Sequence, residues 1–337
     1  YLILEVQAEL ENAIPNISMK YDPEITDDGF ALACVKCALK TAKPSFANHR
    51  MFKNELGENY VIASCYNGLL LGGGAYTLCR LILGHIAERS AGIEDFKNNQ
   101  LPYVMDVMAK YMDARIAFEV EQSGFFESNF LAKEGLIHRD RFTGMFGLVG
   151  LADAVNVLMT KEGKDDRFGH SDAATQLGIE IMDIINEFNN NHFNKYCEGT
   201  GSHFLLHAQV GIAEDKGIAP GTRIPIGEEP EELVDHLNVI SNFHKYFVSG
   251  TGDIFPVDLT VHKNPEYVLD IIKGSWQKDI RYISFYSSDS DVIRITGYLV
   301  KKSEIEKYEQ GNAVLQNTTQ LGTGAKKNGR ILERKVR

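Results

Sequence analysis

The sequence predicts an α/β fold on three observations. Toward the C-terminus an apolar strand-like run at 254–261, a helical pattern at 265–273 and a second apolar run at 282–286 follow one another. That order is typical of chains with at least some parallel strand pairing. The composition, 44% hydrophobic and 24% charged, is that of a globular protein. The 337 residues suffice to bury a sizeable core, as one large domain or two smaller ones.

Charge and cysteine usage narrow the class. The net charge of -11 argues against a nucleic-acid scaffold, whose surfaces are basic. No apolar run has the length of a membrane span and no stretch reads as a secretory signal, so no membrane partner is expected. Five cysteines, an odd number without close regular spacing, point to reduced thiols and a cytoplasmic setting. In that setting the glycosylation-like triplets at Asn16 and Asn317 carry no meaning.

The elements follow in order. A helix covers 2–12 and a polar stretch 18–28; a second helix runs over 29–42 with Asp27 or Asp28 as N-cap. Cys34 and Cys37 share one face of it, and with no second CxxC to complete a metal set they read as core thiols. A short buried strand ends at Cys65, followed by the triple glycine Gly72, Gly73 and Gly74 and a predicted helix at 76–89. The Walker lysine is absent, so the glycines mark backbone that passes close to a neighbour. Helices are predicted at 94–122 with Pro102 as an interruption, at 145–161 with Gly147, Gly150 and Ala154 on one face, at 172–197 and at 231–244. The last two flank a Gly- and Pro-rich loop at 215–230. His203 and His207, four apart, would share one side of a helix and read as structural histidines. A short helix at 303–308 precedes a basic end containing Lys326, Lys327, Arg330, Arg334, Lys335 and Arg337. That end either docks on the acidic body or forms a short arm, and without an aromatic platform it makes a poor nucleic-acid binder.

One run stands apart. Val292 to Val300 is strand-like, with Gly297 inside it. A glycine in a strand normally marks a bulge or turn. The order Arg294, Ile295, Thr296, Gly297, Tyr298 also resembles the glycyl radical signature, with Thr296 where a smaller residue is usual. A radical on an α-carbon needs a planar centre conjugated with both amides, which a Cβ would crowd. Read alone, the run fits a radical glycine and a strand-turn glycine equally well. Such radicals are stores; the attacking species is a cysteine thiyl, formed where glycine and cysteine meet in a closed, dry cavity. Cys65, at a strand end before a glycine-rich loop, is the preferred partner, since Cys34, Cys37 and Cys79 sit in helical patterns and Cys197 at a helix end.

Further runs extend the resemblance: residues 42–49 (AKPSFANH), 64–67 (SCYN) with the triple glycine, 249–253 (SGTGD) and 294–299 (RITGYL). Together they are similar to the YjjI-type glycyl radical enzymes, relatives of pyruvate formate-lyase and anaerobic ribonucleotide reductase. The resemblance implies a ten-stranded α/β barrel of two half-barrels, with a cysteine loop and a glycine loop meeting inside. It implies a core at 1–286 carrying Cys65 and a glycyl radical domain at 287–337. Such enzymes are usually longer, and the chain opens at Tyr1 inside a helix, so an N-terminal portion carrying part of the barrel is expected to precede it. Gly297 and Cys65 are the implied catalytic residues; Asn67 and His49 are candidate substrate contacts. The chain shows no cluster motif, so the radical is expected to be installed by a separate radical-SAM activating enzyme using S-adenosylmethionine and an iron–sulfur cluster. The other expected partners are a small polar metabolite and a second copy in a homodimer.

The signatures of the known reactions do not match. Cys65 is flanked by Ser64 and Tyr66 and not by a second cysteine, and Asn67 stands where dehydratases keep a glutamate base. Asparagine hydrogen-bonds but accepts no proton at neutral pH. No cysteine follows Cys197, where anaerobic ribonucleotide reductases keep zinc ligands. The expectation is an oxygen-sensitive enzyme abstracting hydrogen from an unassigned metabolite. The alternatives are a reductase-like enzyme acting on nucleotides and a catalytically silent binding protein.

Overall fold

Two sheets with mostly parallel pairing organise the computed structural model, which describes residues 1–10, 16–63, 66–208, 218–294, 299–314 and 334–337. The first has the order β1 (Ser18–Tyr21), β2 (Ser45–Asn48), β9 (Tyr282–Ser287), β8 (Asp253–Val257). β1 and β2 are parallel, as are β8 and β9, and the two pairs meet along an antiparallel β2–β9 seam. The second sheet is fully parallel: β5 (Gly74–Ile82), β6 (Phe142–Val149), β7 (Leu205–Ala208). Two antiparallel hairpins complete the strands, β3 (Tyr60–Ala63) with β4 (Asn67–Leu70), and β10 (Val292–Arg294) with β11 (Leu299–Lys301).

Helices cover the outer face of each sheet. Against the first pack α1 (Leu2–Leu10), α2 (Asp28–Thr41), α8 (Leu233–His244) and α9 (Glu266–Trp276), which bury Phe46, Phe255, Val257, Ile283 and Phe285. Asp27 caps α2 by accepting from the Phe30 N–H at 2.8 Å. Cys34 and Cys37 are buried in that helix, and burial pushes the Cys34 thiol up to about 12. Between α2 and β3 lies α3 (His49–Leu56). Against the second sheet pack α4 (Leu83–Arg89), α5 (Leu101–Glu121), α6 (Leu151–Lys161) and α7 (Asp172–Asn191), which bury Leu81, Phe146, Leu148 and Leu206. The helix α10 (Lys302–Glu309) follows β11.

The sequence reading needs three corrections here. Residues 76–82 form a strand, and helix α4 begins only at Leu83. Residues 142–149 likewise form β6, buried at every position, with α6 starting at Leu151. A short apolar run suits a buried parallel strand as well as a buried helix, and here pairing with two neighbours decides it. Gly147 serves that sheet: a Cβ would stand 2.6 Å from the Cys79 carbonyl oxygen. Finally, His207 lies in β7 and His203 in the preceding turn, where its Nδ1 donates to the His192 carbonyl at 2.9 Å. The close-approach reading of the triple glycine holds, since a Cβ on Gly73 would lie 2.2 Å from the Arg141 carbonyl oxygen. The final residues dock on the body: the Arg337 carbonyl accepts from the Asp258 N–H at 2.6 Å, and Lys335 pairs with Glu231 at 2.6 Å. Among the described residues no helix is long and apolar enough to cross a membrane.

Candidate active site

Cys65 and Gly297 both lie outside the described residues; the strands on either side of each are described. In the cysteine hairpin Tyr60 pairs with Leu70 at one end and Ala63 with Asn67 at the other. Tyr66 follows Cys65 and is only 2% exposed. Its hydroxyl donates to the Ala208 carbonyl of β7 at 2.8 Å, and its ring stands 5.8 Å from that of Tyr282 on β9. Tyr66 is thus wedged between the two sheets. His207 flanks its ring at 5.9 Å and the Arg223 guanidinium lies 5.8 Å from its centre, within cation–π range.

The loop 249–253 closes around this wedge. The Ser249 carbonyl accepts from the Gly68 N–H at 3.0 Å, and the Gly250 carbonyl from the Ala208 N–H at 3.0 Å, so the loop ties β4 to β7. The Ser249 hydroxyl adds a bond to the Leu206 carbonyl at 2.8 Å. Gly250 has a φ of +122°, and a Cβ there would stand 2.1 Å from the Tyr66 carbonyl oxygen. A Cβ on Gly252 would stand 2.7 Å from the Tyr282 ring. Arg223 Nε donates to the Gly252 carbonyl at 2.6 Å. His207 donates from Nδ1 to the Ser249 carbonyl at 3.3 Å, which makes Nε2 the unprotonated nitrogen of the neutral ring. Burial pushes the His207 pKa down to about 4.

Asp253 anchors the loop from behind. His244 Nδ1 accepts the Arg281 backbone N–H at 3.0 Å, so its proton sits on Nε2, which donates to the Asp253 carboxylate at 3.0 Å. His236 Nε2 stands farther off, at 3.7 Å. Burial alone would raise the Asp253 pKa; the two imidazoles and the Arg223 guanidinium hold the carboxyl well below the usual carboxylate range. The buried Arg281 in turn forks onto Glu55, with Nη2 at 2.8 Å, and lies 4.9 Å from the Phe52 ring centre.

The glycine hairpin rests on the same sheet. Val292 and Ile293, 2% and 1% exposed, pack with Ala42, Ile254, Tyr286 and Ile305. The β8–β9 register pairs Ile254 with Ser284, and side chains alternate faces along a strand. Ile254, Ser284 and Tyr286 therefore share the face of Tyr282 that Tyr66 touches. Asp291, just before β10, fastens α10 by accepting from the Ser303 N–H and hydroxyl at 2.9 and 2.8 Å.

The two candidate substrate contacts lie at opposite ends of the cysteine hairpin. Asn67 opens β4 beside the undescribed residues. His49 begins α3 at the far end, with Nδ1 2.9 Å from the Tyr60 hydroxyl, and burial lowers its pKa. Lys20 donates to the Tyr60 carbonyl at 2.7 Å and lies 3.8 Å above the Tyr60 ring. It lines a cleft of about 310 Å³ with Asn16, Ser18, Val61 and Ile62. The sequence reading missed Tyr66, His207, Arg223 and Asp253 as site residues. Tyr66 and Asp253 lay in the 64–67 and 249–253 runs, the second marked by its two closely spaced glycines, while Arg223 and His207 carried no such signal. Among the described residues no group of three or more His, Cys, Asp or Glu is arranged to hold a metal ion.

This arrangement is the barrel fold of glycyl radical enzymes. A glycyl radical enzyme from Archaeoglobus fulgidus matches with a TM-score of 0.72 at 13% identity, over 99% of this chain and 54% of that one. The glycerol-bound B12-independent glycerol dehydratase from Clostridium butyricum gives 0.71 at 11% identity, over 100% and 54%. The anaerobic ribonucleotide reductase from Thermotoga maritima in complex with dATP and CTP gives 0.69 at 16%, over 91% and 58%. At such identities the likeness carries the fold alone. In sequence, the family described as "Glycyl radical enzyme YjjI-like" matches residues 1–337, and the chain belongs to that family. It is 46% identical over 339 aligned residues to an uncharacterized Haemophilus influenzae protein, covering 100% of this chain and 66% of that protein. It is 42% identical over 336 to the uncharacterized protein YjjI of Escherichia coli, covering 99% and 64%. The chain thus spans about two thirds of the length of these curated relatives and about half that of the solved structures.

Proposed function

We propose that this protein stores an unpaired electron on Gly297 and delivers it through Cys65 to a small polar metabolite. The supporting observation is that the cysteine and glycine hairpins address one face of β8–β9, Tyr66 against Tyr282 and Ile293 in the cluster with Tyr286. In the proposed step the Cys65 S–H bond breaks homolytically and its hydrogen atom re-forms the second Gly297 Cα–H bond, leaving the unpaired electron on sulfur. The thiyl then takes a hydrogen atom from a substrate carbon, and no electron enters from outside. Asn67, beside Cys65, and His49 are the proposed substrate contacts; neither supplies a carboxylate base. Gly297 acquires its radical from a radical-SAM activating enzyme, and reaction with dioxygen makes the loaded protein oxygen-sensitive.

Anaerobic activation followed by electron paramagnetic resonance tests this reading. A doublet from the one remaining Gly297 Cα hydrogen is expected, absent in Gly297→Ala. Cys65→Ser should keep the signal and lose turnover, because an alcohol O–H is too strong for a glycyl radical to break. Full turnover by Cys65→Ser would remove Cys65 from the mechanism.

A further inference from the structure

Tyr66 and the loop 249–253 serve no step of the proposed chemistry, yet the molecule places unusual polar groups there. Asp253 is 4% exposed and ionised, His244 is fully buried, and Gly250 holds a left-handed backbone against Tyr66. An apolar wedge of the same size would fill the space between the sheets. A hydrogen-bonded polar set does something further: it admits one arrangement and penalises all others, since any shift leaves buried groups unpaired. Four contacts bear on Tyr66 from different directions. The Ala208 carbonyl fixes its hydroxyl, Arg223 and Tyr282 flank its ring, and Gly250 abuts its own carbonyl.

We infer that Tyr66, seated on the loop 249–253, is a positioning residue that sets the approach of Cys65 to Gly297. The inference rests on the radical reading above. Atom transfer requires reacting atoms roughly 3–3.5 Å apart, and a displacement of about 1 Å costs about a hundredfold in rate. One peptide bond separates Tyr66 from Cys65, so a shift of the first is passed to the second.

A substrate-free exchange assay tests it. In heavy water the Cys65 thiol carries deuterium. Each cycle, in which Gly297 takes deuterium from sulfur and returns hydrogen, leaves a deuterium on the glycyl carbon. The doublet therefore collapses at the rate of hydrogen transfer between the two residues. Wild-type protein loaded by its activating enzyme should collapse, and Cys65→Ser should not. Gly250→Ala should load radical normally, because no described contact joins Gly250 to β10 or β11, and should collapse about a hundredfold more slowly. Where Gly250→Ala does not fold, Tyr66→Leu and Tyr66→Phe replace it: both slow the collapse, phenylalanine, which keeps the ring and loses only the bond to the Ala208 carbonyl, less than leucine, which loses both. A folded, loaded Gly250→Ala, or Tyr66→Leu, collapsing at the wild-type rate overturns the inference alone. Absence of collapse in wild type, or its persistence in Cys65→Ser, overturns the radical reading and the inference with it.

Discussion

Among the described residues, the β3–β4 hairpin is held mainly by backbone hydrogen bonds and a buried ionic network, the β10–β11 hairpin mainly by a patch of apolar side chains. On the cysteine side, Ser249 and Gly250 tie β4 to β7, Phe52 stacks on Tyr60 at 5.3 Å, and Arg281 joins Phe52 to Glu55 and His244. On the glycine side, among the described residues, a cluster of Ala42, Ile254, Tyr286, Val292, Ile293 and Ile305 makes the apolar contact with the body, the Ser290 hydroxyl just before β10 donates to the Lys40 carbonyl at 2.7 Å, and α10 is fastened through Asp291. Directional bonds fix a position; a small apolar patch can be released and re-formed at modest cost. The difference matches the two proposed tasks. A thiol that abstracts hydrogen has to stay where it is put. A glycine that receives its radical from another protein has to present its backbone to that protein.

The sharpest break of this comparison uses oxygen. Loaded protein exposed to air should be cut at Gly297, releasing a fragment of about the 40 residues that follow. The cut should require activation and vanish in Gly297→Ala, where the added Cβ disfavours a planar radical. Mass spectrometry of the fragments reads the site directly, and a cut elsewhere with Gly297 intact would reassign the storage residue.

Core truncations come next. Phe52→Ala removes the ring on which Tyr60 and Arg281 rest, and its cost should fall at about 3–5 kcal/mol of global stability, seen as a lower denaturation midpoint. Ile293→Ala, though equally buried, should cost less than about 2 kcal/mol globally, because its patch opens locally. Hydrogen exchange in Ile293→Ala should accelerate at β10 and β11 and leave β3 and β4 unchanged. Equal acceleration in both hairpins would show that they open as one unit.

How much of this was legible in the sequence follows from the kind of signal each element carries. An N-cap at Asp27 or Asp28, the strand–helix–strand order after residue 253 and the buried cysteines of α2 follow from local pattern, and the structure shows them, with the cap at Asp27. β5 and β6 read as helix, because an apolar run such as 142–149 acquires its strand identity from partners far away in the chain. The family was readable because runs 42–49, 64–67 and 294–299 are local. The seat was not. Gly250 meets Tyr66 across more than 180 residues and Arg223 reaches Gly252 from a Gly- and Pro-rich loop, and no spacing rule encodes either contact.

Acid should loosen the cysteine seat. His207 is held neutral with a pKa of about 4, whereas in the unfolded chain its pKa is near 6.5. Between those values the unfolded chain binds the extra proton, so stability is complete above about pH 6.5 and falls as the pH drops toward 4, by up to about 3 kcal/mol. His244, lowered by burial, adds loss of the same sign. Asp253, held down, keeps its contribution until the pH falls below the ordinary carboxylate range. Denaturant midpoints measured from pH 7.5 to 4.5 should flatten in His207→Gln, and an unchanged slope would show that His207 is not the titrating group.

The smallest expected effects separate the hairpin's two ends. Asn67 stands at the end that carries Cys65, and removing its amide in Asn67→Ala deletes about one hydrogen bond to a bound substrate. That loss is of the order of 1 kcal/mol, or about fivefold in KM, with whichever metabolite a screen of activated protein returns. His49 has one ring nitrogen engaged with the Tyr60 hydroxyl, so His49→Gln, which can keep a polar partner for Tyr60, should shift KM by about twofold or less. Neither variant should change the deuterium-dependent collapse of the glycyl doublet, because that exchange runs without substrate. The combination decides the roles: a KM change with normal exchange marks a substrate contact, and slowed exchange in Asn67→Ala would make Asn67 part of the frame that holds Cys65.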